Sequence, residues 1–438
     1  MLYANVGAIL QEQKRLIHPD AITSGQAFVP TDLSIEKETY PYYFTFCFTA
    51  LYFMISHGRV HLLVPALTMI PCAMISGIMA VAAFAIENGK VREKHVWRRE
   101  EKLVLGLLAV CILTLPTSVW PGGSVSTLYK GFLPAIILMF ISAAICRSIS
   151  DIKKFVWLLC FNSVFIIFMV LSNDITHISK GITDTYDTND IAMVLDCSLP
   201  IIFYFMQSCR GIKKLILSII CVLILITVVK TASRGGMLGL IAFGGYLVLY
   251  SRARFKYFMA VVAALICIVM FAPDESKHRF STMINPETEY DQNLGDRTQI
   301  WKAGVEHFWE SPLFGVGFSN YAVAGGTKEE GWGWKTAHNS ALQIAVELGV
   351  GGLILYIMLT AGTYFKFRRL RKEAELIDHE HETVWLLKGI EVSLLLYMVT
   401  AFFLSQAYSP LFYFIISLAI ATQKFLPPQL SHTTEQAI

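Results

Sequence analysis

Long apolar runs recur along this chain from residue 41 to residue 425, and they constrain its fold more than any other feature. A helix that crosses a bilayer needs roughly 17–25 predominantly apolar residues. We predict about twelve such spans, at 41–57, 60–86, 103–121, 131–146, 155–172, 190–208, 215–231, 236–250, 257–272, 339–364, 386–405 and 411–425. Only 16% of the residues are charged, against about 25% in soluble chains. The sequence therefore predicts an all-α polytopic membrane protein and excludes soluble multidomain enzymes.

Lysine and arginine are unevenly shared between the loops on the two sides of this predicted bundle. Five loops that lie on one side carry twenty of them, at 90–102, 147–154, 210–214, 252–256 and 366–372, and the alternate short loops carry four. Cytoplasmic loops are enriched in Lys and Arg, so we predict that both termini are cytoplasmic. The net charge of +3 is too small to indicate a nucleic-acid partner.

The domain organisation follows from the same pattern. We predict a cytoplasmic N-terminal segment at 1–40, a membrane domain at 41–425 and a cytoplasmic tail at 426–438. Residues 273–337 interrupt the spans as one long extracytoplasmic loop, and its four tryptophans favour an ordered structure. Inside it we predict an amphipathic helix from Asp296, as the N-cap, to Glu310, followed by a glycine turn that fixes this helix.

Ionisable groups at or inside a membrane are costly and are therefore candidates for function. The first candidate is the T-A-S-R-G-G sequence at 231–236, which places Arg234 at the outer surface between two spans, with Lys230 one turn earlier. Glycine backbone beside a guanidinium admits a phosphate, which arginine binds bidentately. The alternative is an ordinary interfacial arginine beside glycines that pack helices.

The second candidate is the helix of the long loop. Arg297, Trp301 and Gly304 fall at i, i+4 and i+7 and so share one helical face. We predict that Trp301 rests on the membrane surface while Arg297 points to lipid headgroups or to a substrate. The alternative is a helix that only anchors the loop to the membrane.

The third candidate is the segment at 337–352, where the long loop returns to the membrane. His338 is a candidate general base or phosphate ligand, and Asn339, Gln343 and Glu347 form a polar stripe on the helix that follows. Glu347 would lie about 13 Å below His338 at 1.5 Å per residue. We therefore predict that Glu347 is a structural hydrogen-bonding group. An interfacial histidine without a reaction to perform is the alternative for His338.

Weaker features have simpler interpretations. Asp184, Asp187 and Asp190 could hold a divalent metal, but a solvated acidic loop is the preferred interpretation. Asp196 is interpreted as a buried structural acid. The nine cysteines form no C-x-x-C pair, so neither a disulfide framework nor a zinc site is indicated.

Two arginines and one histidine thus gather on one face of the predicted bundle. Fixed cations suit an anionic, lipid-linked substrate, and they would stabilise a departing diphosphate. Twelve spans also suit a lipid-glycan flippase or a secondary transporter. Those proteins usually place their polar groups near the membrane midplane, whereas here these groups cluster at one face.

These motifs resemble the O-antigen ligase and O-antigen polymerase family of bacterial membrane glycosyltransferases. Three motifs within residues 185–355 carry the resemblance. The first is His338 and Asn339 ahead of Gly349 and Gly352, and the second is Arg297 and Trp301 ahead of Pro312, Leu313, Gly315 and Gly317. The third is Ser233, Arg234, Gly235 and Gly236. Asn189 in T-N-D-I-A is a weaker match to a recurring asparagine.

The resemblance implies an enzyme of the bacterial inner membrane with a periplasmic active site, a glycan donor carried on undecaprenyl diphosphate, and neither a cofactor nor a metal. The acceptor would be lipid A–core for a ligase, or a second lipid-linked unit for an O-antigen or exopolysaccharide polymerase. The His-Asn spacing and the single long late loop favour the ligase. The implied catalytic residues are His338, Arg234 and Arg297, and the implied substrate-binding residues are Lys230, Asn189, Trp301, Asn339 and Gln343.

Overall fold

A computed structural model of the chain describes residues 41–58, 60, 70–89, 95–172, 187–271, 291–327, 334–377 and 382–426. These residues form helices joined by turns, and they contain no strand. The predicted cytoplasmic segment at 1–40, nearly all of the predicted tail at 426–438 and Asp184 lie outside the described residues, so those predictions stay open.

The helices follow the apolar runs of the sequence. The first six are α1 (Tyr43–Ser56), α2 (Cys72–Asn88), α3 (Arg99–Leu113), α4 (Pro121–Thr127), α5 (Leu133–Ile145) and α6 (Ile149–Ser172). Next come α7 (Thr188–Ser208), α8 (Gly211–Lys230), α9 (Arg234–Tyr250), α10 (Arg254–Phe271) and α11 (Asp291–Glu310). The last four are α12 (Tyr321–Thr327), α13 (Ser340–Ile377), α14 (Glu382–Ala401) and α15 (Pro410–Thr422).

The helical class predicted from the sequence is confirmed, but the number of spans is not. Each of the twelve predicted runs overlaps a helix, yet six helices of the described chain are long and apolar enough to cross a membrane. Four other apolar helices have only 10–17 residues: Tyr43–Ser56, Cys72–Asn88, Arg234–Tyr250 and Pro410–Phe425. They fall short of the roughly 20 residues that a 30 Å hydrocarbon core requires.

The centre of the bundle is formed by α7, α14 and α15, whose residues are mostly buried. Gly389 lets α14 approach α7 closely, because a Cβ there would lie 3.1 Å from the Ile201 Cα atom. The Ser393 hydroxyl donates to the Cys197 carbonyl at 2.6 Å in the turn before Pro200, which lies inside α7. A neighbouring helix thus donates to a backbone carbonyl close to the proline, where a helix in an apolar medium needs such partners.

Helix α13 is broken at Gly349, whose φ of 69° and ψ of −166° are not helical. A turn at 312–317 fills the break: the amides of Val316 and Gly317 donate to the Val346 and Glu347 carbonyls, at 2.9 and 3.0 Å. The Val350 amide donates in turn to the Pro312 carbonyl at 2.8 Å. The backbone groups freed by the break are therefore paired inside the protein, which is where irregular backbone at membrane depth is tolerated.

Helix α11 differs from its predicted start. It begins at Asp291 rather than after Asp296, so Asp296 lies inside the helix and is not its N-cap. The residues between them, Gln-Asn-Leu-Gly, include no proline, and a single glycine costs a helix only about 1 kcal/mol. The predicted end at Glu310 is confirmed, and the serine and proline of the following turn stop the helix there.

Candidate functional site

The site lies at the end of the bundle where α7, α9 and α13 begin, which we call the site end. Arg234 is the first residue of α9 and lies two residues after Ala232, which is in the left-handed region with φ of 51°. Ser233 caps the helix by accepting from the Gly236 amide at 3.2 Å, and its hydroxyl donates to the Asn189 side-chain oxygen at 2.8 Å. This bond joins the start of α9 to the start of α7.

Two carboxylates shape the start of α7. The Asp187 carboxylate accepts from the amides of Asn189 and Asp190, at 2.8 and 2.9 Å, and from the Asn189 side-chain amide at 3.2 Å. The Asp190 carboxylate accepts from the Gln406 side-chain amide at 2.6 Å. The prediction of a solvated acidic loop is therefore wrong for Asp190, and Asp187 is a helix cap, the role in which a short carboxylate stabilises a helix start.

Residues 402–409, between α14 and α15, form a loop that we call the site loop. Its Ser405 hydroxyl accepts from the His338 amide at 2.9 Å, and its Gln406 amide donates to the Ser340 hydroxyl at 2.9 Å.

His338 is held with a φ of 46°, a strained conformation for a residue other than glycine. Strain of this kind costs about 1–3 kcal/mol and persists where the surroundings fix it, often at functional sites.

Trp301 packs against neighbouring segments of the protein, and its contact with the membrane surface stays a prediction. Its indole N–H donates to the Ala337 carbonyl at 2.9 Å, and its ring packs edge-on against Phe402 of the site loop. Gly304, one turn further, makes room for the Tyr321 hydroxyl. The shared face predicted for α11 thus packs inward and brings half-buried Arg297 towards the residue before His338.

Arg297 and Asp187 are the charged groups that act on the His338 imidazole. Partial burial lowers the pKa of Arg297, and the charge of Asp187 opposes this shift. Partial burial and the charge of Arg297 lower the pKa of His338, and Asp187 again acts in the opposite direction. The imidazole is therefore neutral at neutral pH, as a proton acceptor must be, beside one cation and one carboxylate.

The remaining candidates have partners inside the protein. The Lys230 ammonium donates to the Val170 and Leu171 carbonyls at the end of α6, at 2.9 and 3.3 Å. Asn339 is buried and caps α13, because its side-chain oxygen accepts from the Leu342 amide at 2.9 Å. Gln343 donates weakly to Glu347 at 3.4 Å. Substrate contact stays a prediction for all three.

Glu347 has the structural role expected from the sequence. It is 1% exposed, and its carboxylate accepts from the amides of Ser319 and Tyr321, at 3.1 and 3.2 Å. It also accepts from the Tyr408 hydroxyl at 2.7 Å. One side chain of α13 thus fixes both the turn after α11 and the site loop.

The site loop and Asp187 were missed as parts of the site by reasoning from the sequence. The signal for the loop was present in Ser405, Gln406, Tyr408 and Ser409, a polar run between two apolar runs. Its importance arises from bonds to residues far away in the chain, such as the pair Gln406 and Asp190, 216 positions apart. No local pattern predicts such a pairing.

The fold and the site define a helical membrane protein with cations and one imidazole gathered at one end of its bundle. Residues 219–357, which include Arg234, Arg297 and His338, match the family described as O-Antigen ligase. The chain is also 36% identical over 94 residues to the exopolysaccharide production protein ExoQ of Rhizobium meliloti (strain 1021). That match covers 19% of this chain and 21% of the relative. The resemblance to the O-antigen ligase and polymerase family is thereby confirmed.

Proposed function

We propose that the protein transfers a glycan from undecaprenyl diphosphate to an acceptor hydroxyl at the outer face of the bacterial cytoplasmic membrane. The observation that carries this proposal is the hydrogen bond from Trp301, one turn after Arg297, to the residue before His338 at the site end, where α9 also begins with Arg234. A cationic surface beside a neutral imidazole suits the displacement of a diphosphate by a hydroxyl.

The proposed reaction needs no group beyond these side chains and the two substrates. The acceptor oxygen forms a bond to the anomeric carbon of the glycan, and the bond from that carbon to the diphosphate oxygen breaks. The diphosphate leaves with the bonding electrons, and Arg234 and Arg297 stabilise its charge. His338 takes the proton of the acceptor hydroxyl.

Two acceptors are compatible with this chemistry. Lipid A–core would make the protein a ligase, which the name of the matching family favours. A second lipid-linked glycan would make it a polymerase, and the relative named for exopolysaccharide production favours that candidate. A pure flippase or transporter would move the donor without forming a glycosidic bond.

The test is an assay of the purified protein with a defined undecaprenyl-diphosphate oligosaccharide and each acceptor in turn. We expect His338→Asn to lower the transfer rate about 10²–10⁴-fold, the range for a positioned base, because asparagine tolerates the left-handed backbone but cannot take the proton. Arg234→Ala and Arg297→Ala should each cost about 10²–10³-fold.

The matched control is Lys302→Ala, which removes an exposed cation from the same helix as Arg297 and should retain full activity. Unchanged transfer in all three site variants would refute the assignment. Transport of the donor with no new glycosidic bond would establish the flippase instead.

A further inference from the structure

Asp187 is a fixed carboxylate at the site end, where the candidate base also lies. Three hydrogen bonds from Asn189 and Asp190 hold it at the start of α7. The same helix start is bonded through Asp190 to Gln406 of the site loop, and the neighbouring Ser405 binds the His338 amide. Asp187 and His338 are thus anchored to one short loop, and neither can move far from the other.

Charged groups at the site end come from α7, α9, α11 and the segment before His338, and three of these five are positive. Arg297 on α11 acts on the imidazole directly, and Asp187 opposes it. Other ionisable groups belong to the same end of the bundle: Asp190 on α7, Arg234 at the start of α9, and Lys335 three residues before His338. Asp187 is the carboxylate that is identified as acting on His338 among the described residues.

A general base beside a fixed cation becomes unfavourable once it is protonated. When His338 takes the acceptor's proton it becomes an imidazolium, and nearby Arg297 repels that new charge. A general base works best when a neighbouring carboxylate orients the imidazole or stabilises its protonated form. Partial burial increases the need for a neighbouring carboxylate, because a half-desolvated cation is poorly stabilised by water.

We propose that Asp187 is a positioning residue for the transfer reaction, whose carboxylate stabilises the imidazolium that forms when His338 takes the acceptor's proton. This inference rests on the proposed function. The acceptor's proton stays on His338 until the diphosphate has left, and Asp187 remains ionised throughout. Asp187 touches neither substrate and acts through the imidazole alone.

The test is Asp187→Asn, because asparagine caps a helix as well as aspartate does but carries no charge. Without the carboxylate, the imidazolium is less stable, so the pKa of His338 falls further below its ordinary value of 6.5. In a plot of kcat against pH, the acidic limb, where kcat rises as His338 loses its proton, should move to lower pH by about half to one unit. The plateau kcat should fall roughly three- to tenfold.

The donor KM separates this role from helix capping. Loss of a negative charge beside Arg297 cannot weaken diphosphate binding, so Asp187→Asn should leave the donor KM unchanged or lower. Loss of the cap itself, as in Asp187→Ala, would release Asn189 and with it Ser233, displace Arg234 and raise the donor KM. An acidic limb that does not move in Asp187→Asn, while Asp187→Ala raises the donor KM, would mean that Asp187 only caps α7, and the proposal would be overturned.

A second measurement does not depend on transfer. NMR titration of histidine-labelled protein, with the His338 signal assigned by its loss in His338→Asn, should show a lower pKa for His338 in Asp187→Asn than in the unaltered protein. Glu306→Gln, which removes an exposed carboxylate from α11, is the control and should change neither titration nor rate. An unshifted His338 titration in Asp187→Asn overturns the inference. Absence of any transfer by the unaltered protein refutes the proposed function instead, and the two failures are thus distinct.

Discussion

Two carboxylates near the site end, Glu347 and Asp187, have different roles, and they differ in burial. Glu347 is enclosed and each of its oxygens accepts hydrogen bonds, so it holds backbone in place. Asp187 is exposed, and its proposed role is to stabilise the charge of protonated His338.

At this scale we expect Glu347→Ala to lower the free energy of unfolding by about 2–4 kcal/mol, because the amides of Ser319 and Tyr321 and the Tyr408 hydroxyl lose their acceptor. Glu347→Gln should cost less, since one oxygen remains. Thermal unfolding in detergent measures both. The control is Glu310→Ala, which removes a carboxylate that is 57% exposed and pairs with His307, and should change the free energy by less than about 1 kcal/mol. Equal losses in Glu347→Ala and Glu310→Ala would contradict the structural role.

At the scale of elements, the broken helix α13 connects the two halves of the site. The turn at 312–317 follows α11, which carries Arg297, and enters the break of the helix that follows His338. The position of Arg297 relative to His338 therefore depends on how well this turn fits. Gly315 and Gly349 make the fit possible, because a Cβ at either would collide with backbone atoms of the facing segment, and a Cβ at Gly317 would collide with Ser118.

Gly349→Ala tests this dependence. The left-handed φ of 69° and the collision with the Leu313 carbonyl should destabilise the protein by more than about 2 kcal/mol and abolish transfer. Gly351→Ala is the matched control two residues later, where a Cβ meets no atom within 4 Å. That variant should be as stable as the unaltered protein or slightly more so, since alanine favours a helix over glycine by about 1 kcal/mol. If Gly349→Ala unfolds at the same temperature as Gly351→Ala, the break has no structural importance.

At the scale of the whole molecule, the two ends of the bundle are chemically different. The site end joins helix starts through serines, amides and carboxylates. At the opposite end, the Lys366 ammonium pairs with Glu100 at 3.0 Å and donates to Gln423 at 2.7 Å, which ties together α3, α13 and the end of α15. Lysine and arginine concentrate in the loops of that end, as the predicted cytoplasmic orientation requires.

Labelling from the two sides of the membrane tests this orientation. In a cysteine-free background, Trp334→Cys and Leu376→Cys place thiols at positions that are 70% and 87% exposed, before and near the end of α13. A membrane-impermeant maleimide added to intact spheroplasts should label the thiol at 334 and should reach the one at 376 only after permeabilisation. The reverse pattern would place the site in the cytoplasm and exclude a periplasmic acceptor.

The sequence by itself determined the helical class, the approximate helix positions and the three motifs that hold Arg234, Arg297 and His338. These properties are local, since hydropathy and helix propensity act over a few turns of one segment. The inward face of Trp301, the break at Gly349 and the place of Asp187 were decided only by the tertiary structure. They depend on hydrogen bonds and close backbone contacts between segments far apart in the chain, such as those of the site loop with α7 and α13. A pairing of that kind has no signature in the residues on either side of it, because it exists only once the helices have packed.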